Sequence, residues 1–164
     1  MLVIDPSARV SPLADLEDSV RGTRIEIGPN VVIDSFVKIK PAGGTGDVII
    51  GPGSQINSGC VLYTGNGIRI GSNVLIAANC TFAPTNHAYQ DRNRLVRDQR
   101  FLPSKGGIVI EDDVWIGSNS VLLDGARVHR GAVIGAGSLV RGTVEAFKVV
   151  AGSPLRVIGE RGGV

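Results

Sequence analysis

Histidine is scarce in this chain, and one of its two histidines lies in a segment that interrupts an otherwise regular pattern. His87 falls within residues 85–107, whereas His129 follows an aliphatic residue inside the regular part. Imidazole titrates near neutral pH, so a positioned histidine can take a proton from a hydroxyl or an amine as that group attacks. His87 is therefore a candidate general base. The alternative, favoured for His129, is a solvated surface side chain.

Polar residues near His87, and one further back, could bind the molecule that gives up this proton. Asn86 and Tyr89 flank His87, and either one, or a carbonyl of a neighbouring subunit, could orient its ring. Asn57 follows an aliphatic residue at a place where this chain elsewhere uses glycine. Its amide both donates and accepts hydrogen bonds, which suits a ligand that carries hydroxyl groups. The alternative for Asn57 is a plain turn residue.

These residues must be positioned by the elements around them, and those elements follow a six-residue period. An aliphatic anchor returns every six positions, and a small residue follows each anchor four places later. The anchors include Ile27, Ile33, Ile39, Ile56, Leu62, Ile76, Ile116, Leu122 and Ile134; the small residues include Val20, Val31, Cys60, Cys80, Ser120 and Ser138. This period fits neither an amphipathic helix nor an alternating strand. It is typical of a solenoid of short strands, with three anchors in each coil of eighteen residues.

The places where the period breaks divide one all-β domain into parts. We expect about six to eight coils, regular over about 4–84 and 108–145. A long loop at about 85–107 protrudes, and a C-terminal segment, 146–164, ends in a short tail from Leu155 whose last residues are expected to be disordered. Glycines that follow an anchor, such as Gly117, are expected to form tight corners.

Composition excludes several classes of function. A net charge of +2 gives no reason to expect nucleic acid. The start has no basic segment before an apolar core, and no apolar run reaches membrane-spanning length, so we expect a soluble, cytoplasmic protein without a membrane span. Two cysteines, Cys60 and Cys80, make no disulfide framework; they should stack on adjacent coils as reduced core residues.

Several blocks in one order resemble the hexapeptide-repeat acyltransferases. The blocks are Ile56-Asn57, Ile70-Gly71-Ser72-Asn73-Val74, Thr85-Asn86-His87, Asp113-Val114-Trp115-Ile116-Gly117, Ile134-Gly135-Ala136-Gly137-Ser138 and Ala151-Gly152-Ser153-Pro154. The stretch 57–158 is most similar to galactoside, maltose and polysaccharide O-acetyltransferases. The resemblance implies a left-handed parallel β-helix that works as a homotrimer, with active sites between subunits.

The same resemblance implies a reaction. Acetyl-coenzyme A would be the acyl donor, with no metal required, and acetyl would pass directly to a sugar hydroxyl in O-antigen, capsule or other polysaccharide biosynthesis. The alternative is an N-acetyltransferase acting on a nucleotide-linked amino sugar. A γ-type carbonic anhydrase shares the fold but needs three histidines on zinc, and this chain has two. A non-enzymatic β-helix scaffold predicts no such histidine loop.

Roles for individual residues also come from the resemblance. His87 is the catalytic base, and the acceptor is bound by Asn57, Asn86 and Tyr89. Coenzyme A is bound by Trp115, Gly117, Ser118, Ala136, Arg141, Gly152, Ser153 and Arg156. The backbone N–H groups of Gly117 and Ser118 could hold the thioester oxygen. For Trp115 the alternative is packing at a subunit interface, and for Arg141 and Arg156 it is a solvated charge.

The loop is rich in cations, and three explanations stand for them. The side chains are Arg92, Arg94, Arg97, Arg100 and Lys105. They could face an acidic or nucleotide-linked sugar, brace the adjacent subunit, or be solvated. We favour the brace, because active sites in the resembled family lie between subunits and this loop is long enough to reach across.

Overall fold

The chain winds into a column of stacked triangular coils. A computed structural model describes residues 1–162. Within these residues, strands β1 to β18 build six coils of three strands each, and β19 and β20 begin a seventh. The column is a left-handed parallel β-helix. The repeat predicts the solenoid of short strands, and the resemblance predicts its left hand.

Three parallel sheets, here named A, B and C, form the faces of the column. Sheet A contains β1 (Leu2–Ile4), β4 (Ile25–Ile27), β7 (Val48–Ile50), β10 (Ile68–Ile70), β13 (Ile108–Ile110), β16 (Arg127–Val128) and β19 (Thr143–Val144). Sheet B contains β2 (Arg9–Val10), β5 (Val32–Ile33), β8 (Gln55–Ile56), β11 (Leu75–Ile76), β14 (Trp115–Ile116), β17 (Val133–Ile134) and β20 (Lys148–Ala151). Sheet C contains β3 (Asp15–Leu16), β6 (Lys38–Lys40), β9 (Val61–Tyr63), β12 (Thr81–Ala83), β15 (Val121–Leu123) and β18 (Leu139–Val140).

The core is a set of columns in which each anchor stacks on the anchor of the next coil. Ile56 pairs with Ile76, which pairs with Ile116, and all three are buried. The small residues four places on fill the corners, and Cys60 and Cys80 are buried free thiols there. Each strand of the prism turns one face inward, so aliphatic side chains are removed from water. Few aromatic rings are needed to fill the interior.

One core assignment from the sequence is wrong. The period predicts a small core position at Val20, but this residue is 99% exposed, and Thr23 is buried instead. Residues 17–24 form a longer connection between the first and second coils, which shifts the buried position by three residues. Anchors of the first coil are also incompletely covered, with Ile4 41% exposed, because each coil is buried only against its neighbours.

The glycines that follow anchors allow adjacent coils to stack closely; they do not form the tight corners that the sequence predicts. Gly117 does not have a positive φ; a Cβ built on it would lie 2.5 Å from the backbone nitrogen of Ala136 in the next coil. The left-handed corner residue comes two places later, at Asn119 (φ 59°) and Gly137 (φ 69°). Asparagine and glycine tolerate this conformation best, and they hold most of these corners, although Phe36 and Phe147 also adopt it.

The C-terminal part is more ordered than the sequence predicts. After β20 the chain turns back as β21 (Arg156–Glu160), which pairs antiparallel with β20 at the end of sheet B. The sequence predicts only a short tail from Leu155 and does not indicate this strand. The expected disorder of the last residues concerns residues 163 and 164, which lie outside the described residues.

The long loop leaves the column after β12 and returns at β13. It contains one short helix, α1 (Val96–Gln99). Strands on either side of the loop keep their register, with Phe82 opposite Leu122 and Ile70 opposite Ile110. No helix among residues 1–162 is long and apolar enough to cross a membrane.

Candidate active site

His87 sits in a short two-stranded stem at the base of the loop. Ala88 N–H donates to Arg100 O at 2.9 Å, and Leu102 N–H donates to Asn86 O at 2.8 Å. Between these bonds His87 faces Phe101, and the two ring centroids are 4.7 Å apart with an interplanar angle of 48°. The imidazole is exposed while its backbone is held on both sides. This arrangement presents a titratable ring to solvent in a fixed direction.

The outer part of the loop is tied together by Gln99. Its amide nitrogen donates to Asp91 O and Arg94 O at 2.8 and 3.0 Å, and its amide oxygen accepts from Asp91 N–H at 3.0 Å. Arg94 Nη2 donates to Asp98 O at 2.6 Å. Such side-chain ties order a backbone that no sheet supports, so the loop is a folded projection.

Two cavities meet at His87 and differ in chemical character. One, of about 200 Å³, is lined mainly by apolar and aromatic groups, namely Ala42, Gly43, Tyr63, Ala83, Thr85, His87 and Phe101. The other, of about 350 Å³, is lined by His87, Arg97, Asp98, Arg100 and Phe101. Arg97 forms an ion pair with Asp98 at 3.6 Å, which leaves Arg100 as the cation not paired in that cavity.

Edge CA, where sheet C turns into sheet A, leads from His87 toward the C-terminal end. The loop leaves this edge at Thr85, and Asp124 and Arg141 follow it on the next two coils. At its end lies a cavity of about 500 Å³ lined by Leu139, Arg141, Gly142, Thr143, Ser153, Pro154 and Leu155. Two predicted coenzyme A residues, Arg141 and Ser153, thus line one cavity, which lies over the end of sheet C and reaches edge CA at Arg141.

Edge BC, where sheet B turns into sheet C, carries most of the other predicted residues. Asn57, Gly117 and Ala151 follow anchors paired through sheet B, so they belong to one column; Ser118, Ala136 and Gly152 come one residue later at the same edge. Trp115 projects from sheet B beside Leu75 and is 53% exposed. The amide of Asn57 is exposed, and Gly152 N–H donates to Ser138 Oγ at 3.0 Å.

A hydrogen-bonded carboxylate lies one coil below Asn57 on edge BC. The Ser58 hydroxyl donates to Asp34 Oδ2 at 2.7 Å, and the Ser35 N–H donates to Asp34 Oδ1 at 2.7 Å. The Ser58 hydroxyl, followed by the Ser35 N–H, holds the pKa of Asp34 below its ordinary value. Asp34 is therefore a fixed negative charge near Asn57 at neutral pH.

One expected role is removed by the geometry. Gly117 N–H donates to Ile134 O at 2.8 Å, so it is not free to bind a developing oxyanion. The expectation for that donor is wrong, because parallel stacking of the coils already uses it. Of the pair, only Ser118 N–H is left as a candidate.

Other predicted residues are exposed and scattered. Tyr89 is 67% exposed within the loop, Asn86 belongs to the stem, and Arg156 lies exposed at the start of β21. His129 is paired with Glu111 at 2.9 Å on the edge between sheets A and B, away from His87. Among residues 1–162, no group of three or more His, Cys, Asp and Glu side chains is placed to hold a metal ion.

Within one chain the predicted residues form two half-sites. His87 and Arg141 lie on edge CA, while Asn57, Ser118 and Gly152 lie on edge BC, and Ser153 follows Gly152 over the end of sheet C. The six or so residues of sheet C between the edges span about 20 Å when extended. Sequence reasoning missed Tyr63 and Phe101, which line the cavity at His87. The sequence indicates these two residues only weakly. Both are aromatic in a chain that has few aromatic residues; Tyr63 ends a strand, and Phe101 lies in the loop.

Comparison with known proteins agrees with the fold and the repeat. The family model for the bacterial transferase hexapeptide (six repeats) matches residues 107–142. A 2,3,4,5-tetrahydropyridine-2,6-dicarboxylate N-acetyltransferase from Staphylococcus aureus is 52% identical over 56 residues, which are 34% of this chain. The chain covers only 23% of the length of that relative.

Solved structures resemble the chain over a much larger share. AntD, an N-acyltransferase from Bacillus cereus solved with dTDP-4-amino-4,6-dideoxyglucose and coenzyme A, superimposes with a TM-score of 0.80 at 24% identity, covering 99% of this chain and 84% of AntD. A hexapeptide-repeat acetyltransferase from Vibrio cholerae, complexed with acetyl-coenzyme A, gives a TM-score of 0.72 at 29% identity, covering 82% of this chain and 69% of that one.

These findings agree on the fold and the repeat. The chain is a left-handed parallel β-helix, and its residues 107–142 match the bacterial transferase hexapeptide model. Its relatives by sequence and by fold are named acetyltransferases and N-acyltransferases, and two of the structures contain coenzyme A or its acetyl ester.

Proposed function

We propose that this chain is an acetyl-coenzyme A-dependent acetyltransferase whose acceptor is a sugar of O-antigen, capsule or another polysaccharide pathway. The observation that carries the proposal is the placing of His87 where an apolar cavity and a charged cavity meet, on the edge that leads to Arg141 and Ser153. A base beside an acceptor-sized space, with a cavity for an anionic cofactor further along, suits acyl transfer.

The chemistry needs one base and no covalent enzyme intermediate. The imidazole of His87 takes the proton of the acceptor hydroxyl while the hydroxyl oxygen attacks the carbonyl carbon of the thioester. The tetrahedral intermediate then collapses, the carbon–sulfur bond breaks, and the imidazolium returns the proton to the departing thiolate. Ser118 N–H is the donor proposed to hold the oxyanion between these steps. Phe101 limits the directions in which the ring can turn.

A homotrimer is part of the proposal. Edge CA supplies the base, edge BC supplies Asn57 and Ser118, and sheet B supplies Trp115. One chain keeps the two edges on opposite sides of sheet C. A neighbouring chain that brings its edge BC against edge CA would complete the site. Trp115 and Leu75, exposed side by side on sheet B, support an association that covers them.

The test is release of free thiol from acetyl-coenzyme A in the presence of candidate sugar acceptors. His87→Gln should lower kcat by about 10²–10⁴-fold, because the amide of glutamine cannot take up a proton. The amide is polar and similar in size to the imidazole, so the surroundings should change little. Cofactor binding should persist. His129→Gln is the matched control and should retain full activity. Full activity in His87→Gln would refute the assigned base.

A nucleotide-linked amino sugar is the second candidate acceptor. Arg100 and Arg97 line the charged cavity at His87, and guanidinium groups bind phosphate well. AntD, which shares the fold, was solved with such a sugar. If this acceptor is the true one, Arg100→Gln should raise its KM, while Arg92→Gln, on the exposed outer loop, should not. A free sugar as the preferred acceptor would leave both variants alike.

A further inference from the structure

A buried carboxylate stands at the point where the long loop rejoins the column. Asp124 is 4% exposed. The equivalent positions of neighbouring coils on edge CA hold uncharged residues, namely Thr64, Pro84 and Gly142. Burial of a charge is costly unless hydrogen bonds replace the lost water. Both oxygens of Asp124 are used in this way: Oδ2 accepts Lys105 N–H at 2.8 Å, and Oδ1 accepts Gly107 N–H at 2.9 Å.

Arg127 holds the opposite side of the same backbone. We call residues 105–107 the return segment. Nη1 of Arg127 donates to Gly107 O at 2.8 Å, and Nη2 donates to Gly106 O at 3.0 Å and to Lys105 O at 3.2 Å. Asp124 therefore takes two N–H groups of the return segment, and Arg127 serves its three carbonyl groups.

The packing around the return segment leaves it little room to move. A Cβ on Gly106 would lie 2.5 Å from Arg127 Nη2, and one on Gly125 would lie 3.0 Å from Lys105 Cβ. Gly125 N–H also donates to Gly107 O at 2.8 Å. Gly106 and Gly107 have φ values of 92° and 74°, which glycine adopts without strain. The sequence has glycine where this close fit requires it.

The return segment is connected to His87 by a short path. Two residues separate it from Leu102, whose N–H donates to Asn86 O in the stem. Phe101 lies next to Leu102, and its ring lies against the His87 imidazole. A displacement of the return segment would therefore move the half of the stem against which His87 is packed. The other half continues directly from β12.

From this geometry we propose that Asp124 and Arg127 are positioning residues, which clamp the return segment and so fix the direction of the His87 imidazole. They do not touch substrate, because their polar atoms are occupied by the loop backbone. The catalytic part of this inference rests on the proposed acetyltransferase function; the clamp itself does not.

Asp124→Asn is the first test, because the amide keeps the shape but can accept on one side only. Arg127→Lys is the second, since an ammonium cannot span several carbonyl groups as a guanidinium does. We expect faster hydrogen exchange at amides 100–107 in both variants. We also expect kcat to fall by up to about 100-fold, as misplacement of a catalytic group does, with the KM for acetyl-coenzyme A nearly unchanged.

Asp112→Asn is the matched control, because Asp112 Oδ1 accepts a backbone N–H from Ser72 at 2.7 Å on the edge between sheets A and B. It should change neither readout. Wild-type exchange at amides 100–107 in both test variants would overturn the clamp. Faster exchange with unchanged kcat would overturn the positioning of His87. If the wild-type chain transfers no acetyl group, the proposed function fails, and exchange alone then decides on the clamp.

Discussion

The imidazole of His87 rests against the ring of Phe101 at a centroid distance of 4.7 Å and an angle of 48°. The two residues lie on opposite strands of the loop stem, 14 positions apart in the sequence (101 minus 87). A tilted contact of this kind suits aromatic rings and limits the rotation of both. The base thus owes its direction to a residue on the returning half of the loop.

Phe101→Leu should therefore slow turnover while leaving the fold intact. Leucine keeps apolar volume beside His87 but has no flat face against which the imidazole can rest. We expect kcat to fall about tenfold, equivalent to about 1.4 kcal/mol in the activation barrier. Steady-state kinetics measures it. Phe147→Leu, a similarly exposed phenylalanine on another edge, is the control; an equal loss there would point to a general effect on the column.

Two glycines on edge BC should respond differently to alanine. Gly117→Ala should destabilise by about 2–3 kcal/mol, because the new methyl group meets the backbone of Ala136 and the coils must separate. Gly137→Ala has open space and should cost about 1 kcal/mol, from its left-handed φ alone. Gly137→Asn should be close to neutral, as Asn119 fills the equivalent corner. Urea unfolding of the three variants gives the ranking, and a larger loss in Gly137→Ala would contradict it.

The pair formed by Glu111 and His129 should contribute to stability in a pH-dependent way. The Arg130 N–H, followed by the His129 ring, holds the pKa of Glu111 below its ordinary value of 4.5. Because the folded pKa is the lower one, the stabilisation is present above the unfolded pKa and is lost as pH falls through the folded pKa. Glu111→Gln should therefore lower the unfolding midpoint near neutral pH, and the difference from wild type should shrink in acid. A difference independent of pH would show that the carboxylate charge does not matter.

The two cysteines should be unreactive in the folded protein. Cys60 Sγ donates to Ala77 O at 3.1 Å, and Cys80 Sγ donates to Gly117 O at 3.3 Å. Hydrogen bonding with the Cys80 thiol, together with burial, raises the pKa of the Cys60 thiol, so little thiolate forms there. The same contact lowers the pKa of the Cys80 thiol, and complete burial protects that side chain from reagents. A thiol reagent should label both only after denaturation. Rapid labelling of native protein would mean that the coils separate at this corner.

The six-residue period predicts much of the fold because every coil buries its anchors and small corner residues in the same way. The period alone is enough to place anchors such as Ile76 and Ile116 in one stacked column, and they pair there. It fails at Val20, because the connection of residues 17–24 is longer than a regular turn and shifts the buried position to Thr23. It also does not predict β21, which follows the last repeat and pairs antiparallel with β20 through its backbone.

The candidate site is less predictable. His87 and Arg141 share edge CA, yet nothing in their sequence spacing indicates a shared edge until the coils are counted. The contact of Phe101 with His87 depends on how a loop of irregular sequence folds back. In the sequence Asp124 looks like an ordinary turn residue. Only its burial and its two hydrogen bonds to the return segment indicate a role in the clamp.

The loop enters and leaves the column without changing the register of the strands around it. Phe82 faces Leu122 and Ile70 faces Ile110 as though residues 84–107 were absent. The stacking of the column therefore does not depend on the length of this segment. A loop of another sequence, joined at Ala83 and Ile108, would fit the same column if its last residues kept the contacts with Asp124 and Arg127.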